Sequence, residues 1–80
     1  MYFVYVLKSL RFKKSYVGFT NNIERRLTEH NSGKQYYTKR YMPWVIIHKE
    51  CYDTKEVAVR REKFLKTASG RRFLKTLFDK

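Results

Sequence analysis

Residues 15–31, SYVGFTNNIERRLTEHN, set a strand-like Tyr-Val-Gly against a helix that carries two adjacent arginines and ends in His-Asn. Asn21 is placed to cap that helix with Glu24 three positions later, Ile23 and Leu27 give it a buried stripe, and Ser32-Gly33 end it. At about 100° per residue, Arg26 falls roughly 60° to one side of Ile23 and His30 about 20°, whereas Glu24 and Arg25 point away. Arg26 and His30 therefore flank the face that docks on a sheet, where a tyrosine of the preceding strand can meet them. Arg25 is expected to be solvated.

Working outward, Tyr2 to Leu7 is a dense run of β-branched and aromatic residues, with Phe3, Tyr5 and Leu7 on one face and Tyr2, Val4 and Val6 on the other. Apolar residues on both faces mark a central strand. A basic stretch, Lys8 to Lys14, joins it to Ser15–Phe19 as a hairpin, in which Gly18 permits close backbone approach. Residues 34–43, KQYYTKRYMP, have no clean period and read as a loop rich in tyrosine and positive charge. Residues 44–52, WVIIHKECY, form the third strand. Asp53 or Thr54 then caps a second helix with Val57, Ala58, Phe64, Leu65 and Ala68 toward the core. Ser69-Gly70 breaks it from a short third helix holding Phe73, Leu74, Leu77 and Phe78. The order is ββαβαα, and residues 1–80 have room for one small α+β domain without a deep cavity.

The charge balance narrows the partners. With 19 Lys+Arg against 7 Asp+Glu, the formal net charge is +12, which points to polyanions, nucleic acid first. A membrane is the competing polyanion, but no apolar run approaches the roughly 18 residues a span requires. The N-terminal YFVYVL lacks the charged head and small-residue tail of a cleavable signal, so a cytoplasmic location is expected. One cysteine, Cys51, forms no internal disulfide and reads as a core filler; two histidines make no spaced zinc set. Hydrophobic content of 42%, with seven Tyr and six Phe, argues for an ordered domain despite the charge.

Phe3-Val4-Tyr5, Tyr16-Val17-Gly18, Arg26 ten residues after Tyr16, His30-Asn31 and Glu62 in a later helix together resemble the GIY-YIG nuclease family, and within it the small stand-alone bacterial endonuclease type. The resemblance covers nearly the whole chain and is strongest over YVGFTNNIERRLTEHN. It implies a three-stranded antiparallel sheet flanked by helices, and divalent-metal-dependent hydrolysis of a phosphodiester on the sheet's face. It also implies catalytic roles for Tyr5, Tyr16 and Arg26, an assisting role for His30, and Glu62 as ligand to one Mg²⁺ or Mn²⁺. Two departures stand out: the first tripeptide lacks its glycine, and no asparagine follows Asn31, although several family nucleases use a late one.

The chemistry is consistent with those residue types. Arg26 supplies a cation that cannot deprotonate and can grip two phosphate oxygens. Glu62 offers a hard oxygen to Mg²⁺, which keeps most of its waters and takes further ligands from substrate phosphate, so metal is expected to bind mainly with the nucleic acid. A tyrosine has a reference pKa of about 10, and a nearby Arg26 and bound cation would favour its phenolate. Tyr5 or Tyr16 is thus expected to orient or deprotonate the water, with His30 as helper or relay.

Plainer readings stand beside these. Strand tyrosines usually pack; Arg26 can pair with Glu29 and Glu62 with Lys66; His30 can simply favour the helix dipole; Asn31 and His48 read as structural. Lys8, Arg11, Lys13, Lys14, Lys34, Lys39 and Arg40 interleave with Tyr36, Tyr37 and Tyr41, a composition suited to gripping phosphates and stacking on bases. Lys66, Arg71, Arg72 and Lys75 read as an outer face rather than a site. Nothing resembles a base-reading helix, so recognition by shape or single-strandedness is expected. The reading is a metal-dependent endonuclease acting on DNA ahead of RNA, with no membrane and no obligate protein partner. The alternatives are a non-catalytic nucleic-acid-binding module and a basic ribonucleoprotein component.

Overall fold

The computed structural model describes residues 1–78. β1 (Tyr2–Ser9) lies between β2 (Ser15–Thr20) and β3 (Trp44–Tyr52) in an antiparallel sheet of order β2-β1-β3. The two-sided apolar run of β1 makes it central, because both its faces and both its edges are covered. Registry places Tyr5 opposite Gly18 and Leu7 opposite Tyr16, and a bulge between Val6 and Leu7 shifts the β3 pairing.

Alternation along β1 then divides the core in two. Val4, Val6 and Val17 face α3 (Lys55–Leu65) and α4 (Ala68–Phe78), where they pack with Ala58, Leu65 and Leu74. Tyr5, Leu7 and Trp44 face α1 (Ile23–Asn31) and its Ile23–Leu27 stripe. Fully burying a side chain such as Leu65 or Val6 contributes about 1.5–3 kcal/mol, so these clusters hold the helices to the sheet.

Several boundaries differ from expectation. The α1 cap is Asn22, one residue later than Asn21, and its side chain accepts from Arg25 N. Residues 34–43 are not all loop, because α2 (Tyr36–Lys39) makes a single turn there, too short to show a period. Thr54 caps α3 as one of the two expected residues. The break between α3 and α4 falls at Lys66-Thr67 rather than Ser69-Gly70; Thr67 Oγ1 accepts from Gly70 N. Gly70 sits inside α4, where a Cβ would collide with the Phe64 carbonyl oxygen and the Leu65 backbone, so the glycine allows backbone contact rather than ending a helix. Val57, Phe64 and Ala68 are exposed, not core. Cys51 is also exposed, on the same strand face as the exposed Lys49.

Two polar clamps complete the frame. Asn31 Oδ1 accepts from Trp44 N at 2.7 Å and Asn31 Nδ2 donates to Trp44 O at 3.1 Å, tying the end of α1 to the start of β3. On the other face Arg61 forks onto Glu50, which also meets His48 and Tyr52. Burial alone would raise the Glu50 carboxyl, but Arg61, His48 and Tyr52 outweigh it and hold it at about 2. Among the described residues no helix is long and apolar enough to cross a membrane.

Candidate active site

Gly18 is where the site begins. A Cβ at that position would lie 2.6 Å from the Tyr5 hydroxyl oxygen and 2.9 Å from the Tyr16 ring, so the bare backbone lets both phenols lie across β2. The two rings are 6.2 Å apart, and His30 packs 4.8 Å from Tyr16 and 5.9 Å from Tyr5.

Above them, α1 delivers Arg26 and His30 from the flank that helical spacing indicates. Arg26 Nε donates to the Tyr5 oxygen at 3.4 Å and Arg26 Nη1 to Glu29 Oε1 at 3.0 Å. Both alternatives for Arg26 are thus realised at once: it pairs with Glu29 and it meets a strand tyrosine. The guanidinium is held firmly charged, first by Tyr5 and against the cost of burial, with Glu29 adding to it. Glu29 in turn falls below the ordinary carboxylate range through its bond to Arg26. The Arg26 side chain remains 33% exposed, leaving guanidinium N–H groups open to an anion.

His30 is fully buried. Its Nε2 lies 3.0 Å from the Tyr5 hydroxyl and its Nδ1 2.9 Å from Thr38 Oγ1. One direction leaves no buried proton without an acceptor: Tyr5 O–H donates to Nε2, Nδ1–H donates to Thr38, and Thr38 donates to the Gln35 carbonyl. Burial, with Arg26 nearby, pushes the imidazole down to about 4. It is neutral at pH 7, so the helix-dipole reading of His30 does not hold.

Tyr5 departs from expectation. It is 2% exposed, and burial raises its phenol to about 12 in spite of the Arg26 hydrogen bond. Arg26 does favour the phenolate, as expected, but desolvation exceeds its pull. Tyr16 is half-buried and accepts from Gln35 Nε2 at 3.3 Å. The Gln35 Oε1 atom is buried without a partner.

Glu62 comes from α3, across the sheet from α1, yet its carboxylate is among the charges that act on the Tyr5 hydroxyl. It sits beside the Ala58–Leu65 stripe, its side chain 16% exposed and 3.5 Å from Lys66 Nζ. Tyr5, Tyr16, Arg26 and His30 thus gather over Gly18 of β2, and the charge of Glu62 reaches Tyr5 from α3. For a divalent cation, the donors present are a carboxylate and phenol oxygens, which suit a hard ion. Among the described residues no three His, Cys, Asp or Glu side chains group to hold a metal, so an ion held through Glu62 would take most of its remaining positions from water and phosphate.

The predicted nucleic-acid residues spread around this end. Lys13 and Lys14 border β2, and Lys14 lies over the Tyr41 ring, as does Arg40. Lys8 adjoins Lys13 and Lys14 in a neighbouring hollow. Tyr37 packs against Tyr16, Tyr41 and Trp44, Tyr36 is 80% exposed, and Lys34 and Lys39 flank the turn at Gly33. Thr38 and Gln35 lie in the stretch without a period; their only signal is one uncharged polar residue on either side of Tyr36-Tyr37.

A family profile described as the GIY-YIG catalytic domain matches residues 1–75. The chain belongs to the GIY-YIG family, and its fold and the nucleic-acid chemistry of that family go together with the cluster just described. Among its relatives, UPF0213 protein SH2523 of Staphylococcus haemolyticus is 36% identical over 80 residues, spanning 99% of this chain and 96% of that protein. A UPF0213 protein of Bacillus licheniformis is 42% identical over 69 residues, 85% of this chain and 70% of that one. The solution NMR structure of UPF0213 protein BH0048 from Bacillus halodurans matches with a TM-score of 0.56 at 29% identity, covering 95% and 83% of the two chains.

Proposed function

We propose that residues 1–80 form a single nuclease domain, a metal-dependent endonuclease that hydrolyses phosphodiester bonds in cytoplasmic DNA by structure rather than sequence. The observation that carries this reading is the Tyr5 hydroxyl over Gly18: Arg26 donates to it, His30 and Tyr16 pack around it, and the charge of Glu62 reaches it. Hydrolysis joins a water oxygen to phosphorus and breaks the bond to the leaving oxygen, while charge grows on the non-bridging oxygens. A divalent ion on Glu62, bound mainly with substrate, would supply further positive charge to that phosphate. Arg26 grips the non-bridging oxygens. Tyr5, a phenol fixed between Arg26 and His30, positions the guanidinium. Tyr16, more exposed, orients the attacking water, and His30 with Thr38 holds the proton pattern in place.

The reading is tested by incubating the protein with intact, nicked, flapped and branched DNA in Mg²⁺ or Mn²⁺. Cleavage of the interrupted substrates supports it; no product from any member of the panel, with binding intact, favours the non-catalytic binding module.

A further inference from the structure

Beside Tyr16 the edge of β2 opens into a cleft of about 610 Å³ between the β1–β2 turn and the α3–α4 corner. Five cations border it: Lys13 and Lys14 on one side, Lys66, Arg71 and Lys75 on the other. The buried side chains of Val17, Leu65 and Leu74 give it an apolar floor, and the rings of Tyr16, Tyr37 and Phe78 also line it. Among the described residues no carboxylate lines it. Of the four C-terminal cations expected on an outer face, Lys66, Arg71 and Lys75 line this cleft, because α4 folds back beside α3, whereas Arg72 is exposed and meets Ser69 instead.

We infer that this cleft holds an unpaired nucleic-acid strand and leads it to the catalytic cluster. The chemistry is that of a single strand: cationic rims suit the phosphates, and apolar surface with three aromatic rings suits exposed bases. A duplex hides its bases and offers mainly phosphates, and a cleft of this volume takes a drug-sized molecule, not a double helix. β2 is an edge strand, so one row of its backbone groups has no strand partner and adds donors along the wall. Two links join the cleft to the site: Tyr16 lines it, and Lys66 on its rim is the cation that holds Glu62. A phosphate drawn to Lys66 competes with that carboxylate and leaves it free for a metal. The leading-in rests on the nuclease reading; strand binding itself does not.

The test is a ¹⁵N NMR titration with a short oligothymidylate in EDTA, alongside a hairpin duplex of equal charge. Expected are shifts at Lys13, Lys14, Tyr37, Lys66, Arg71 and Lys75, and weaker binding of the duplex. The triple variant Lys13→Gln, Arg71→Gln, Lys75→Gln should bind the oligothymidylate at least about tenfold more weakly, its log-log salt slope flatter by about 2, at roughly 0.7 per phosphate on a single strand. Lys55→Gln, Arg60→Gln, Lys63→Gln removes the same charge from another hollow on α3 and should stay within about twofold. Equal losses in both triple variants, shifts confined to the Lys55–Lys63 surface, or a duplex bound as tightly as the single strand would each overturn the inference. None of these outcomes bears on cleavage, which is read separately with metal present.

Discussion

The Tyr5 hydroxyl lies 3.0 Å from His30 Nε2, and that contact orders the protons from Arg26 through Tyr5 and His30 to Thr38. A strand residue and a helix residue 25 positions apart are locked by one buried bond.

Removing the hydroxyl tests the lock. Tyr5→Phe leaves His30 Nε2 buried without a donor and Arg26 without its Tyr5 acceptor. Urea unfolding should show a loss of about 1–3 kcal/mol, the cost of an orphaned buried polar group. Cleavage should fall about 100-fold through misplacement of Arg26. A variant with wild-type stability and rate would remove Tyr5 from the account.

Acid should weaken the fold through His30 before it reaches Glu50. The folded His30 pKa, about 4, lies below its ordinary 6.5, so the unfolded chain binds the extra proton between those values and stability falls as pH drops through that window. One proton gives a slope of at most about 1.4 kcal/mol per pH unit, and roughly 3 kcal/mol across the window. The Glu50 contribution, with a folded value of about 2 against 4.5, is lost only further down, as pH falls from 4.5 toward 2. Denaturant midpoints measured from pH 7 to 4.5 should decline in the wild type and flatten in His30→Gln; equal slopes would show that His30 is not the group responsible.

Gly18→Ala is the smallest change that reaches both phenols. Its Cβ meets the Tyr5 oxygen and the Tyr16 ring below 3 Å, so one ring or the backbone must give. Overpacking of this kind costs about 1–3 kcal/mol. Thermal unfolding should register that cost, with cleavage falling by more than the stability change explains. Unperturbed Tyr5 and Tyr16 ring signals in the variant would contradict the close approach.

Much of this arrangement was legible in the sequence, and the misses share a cause. The alternation in Tyr2–Leu7 and the spacing Ile23–Arg26–Leu27–His30 report a residue's own element, and both put side chains on the faces where they lie. Burial across elements is not local. Nothing in YFVYVL says that β1 and α1 together leave Tyr5 only 2% exposed, so its phenol was expected to ionise more readily rather than less. Likewise Ser-Gly looked like a break, whereas Gly70 answers to the backbone of the preceding helix. The turn Tyr36–Lys39 is too short to carry a period, and it hid the Thr38 and Gln35 partners of His30 and Tyr16.

Single-turnover cleavage of a flapped DNA in Mn²⁺ by Arg26→Ala and Glu62→Gln, with affinity for the same DNA measured in EDTA, bears most directly on the idea of one shared centre. Both rates should drop by at least about 100-fold while affinity stays within about threefold, as for groups that act on the transition state more than on the bound substrate. Variants that cut as fast as the wild type, or that lose binding in step with rate, would contradict it.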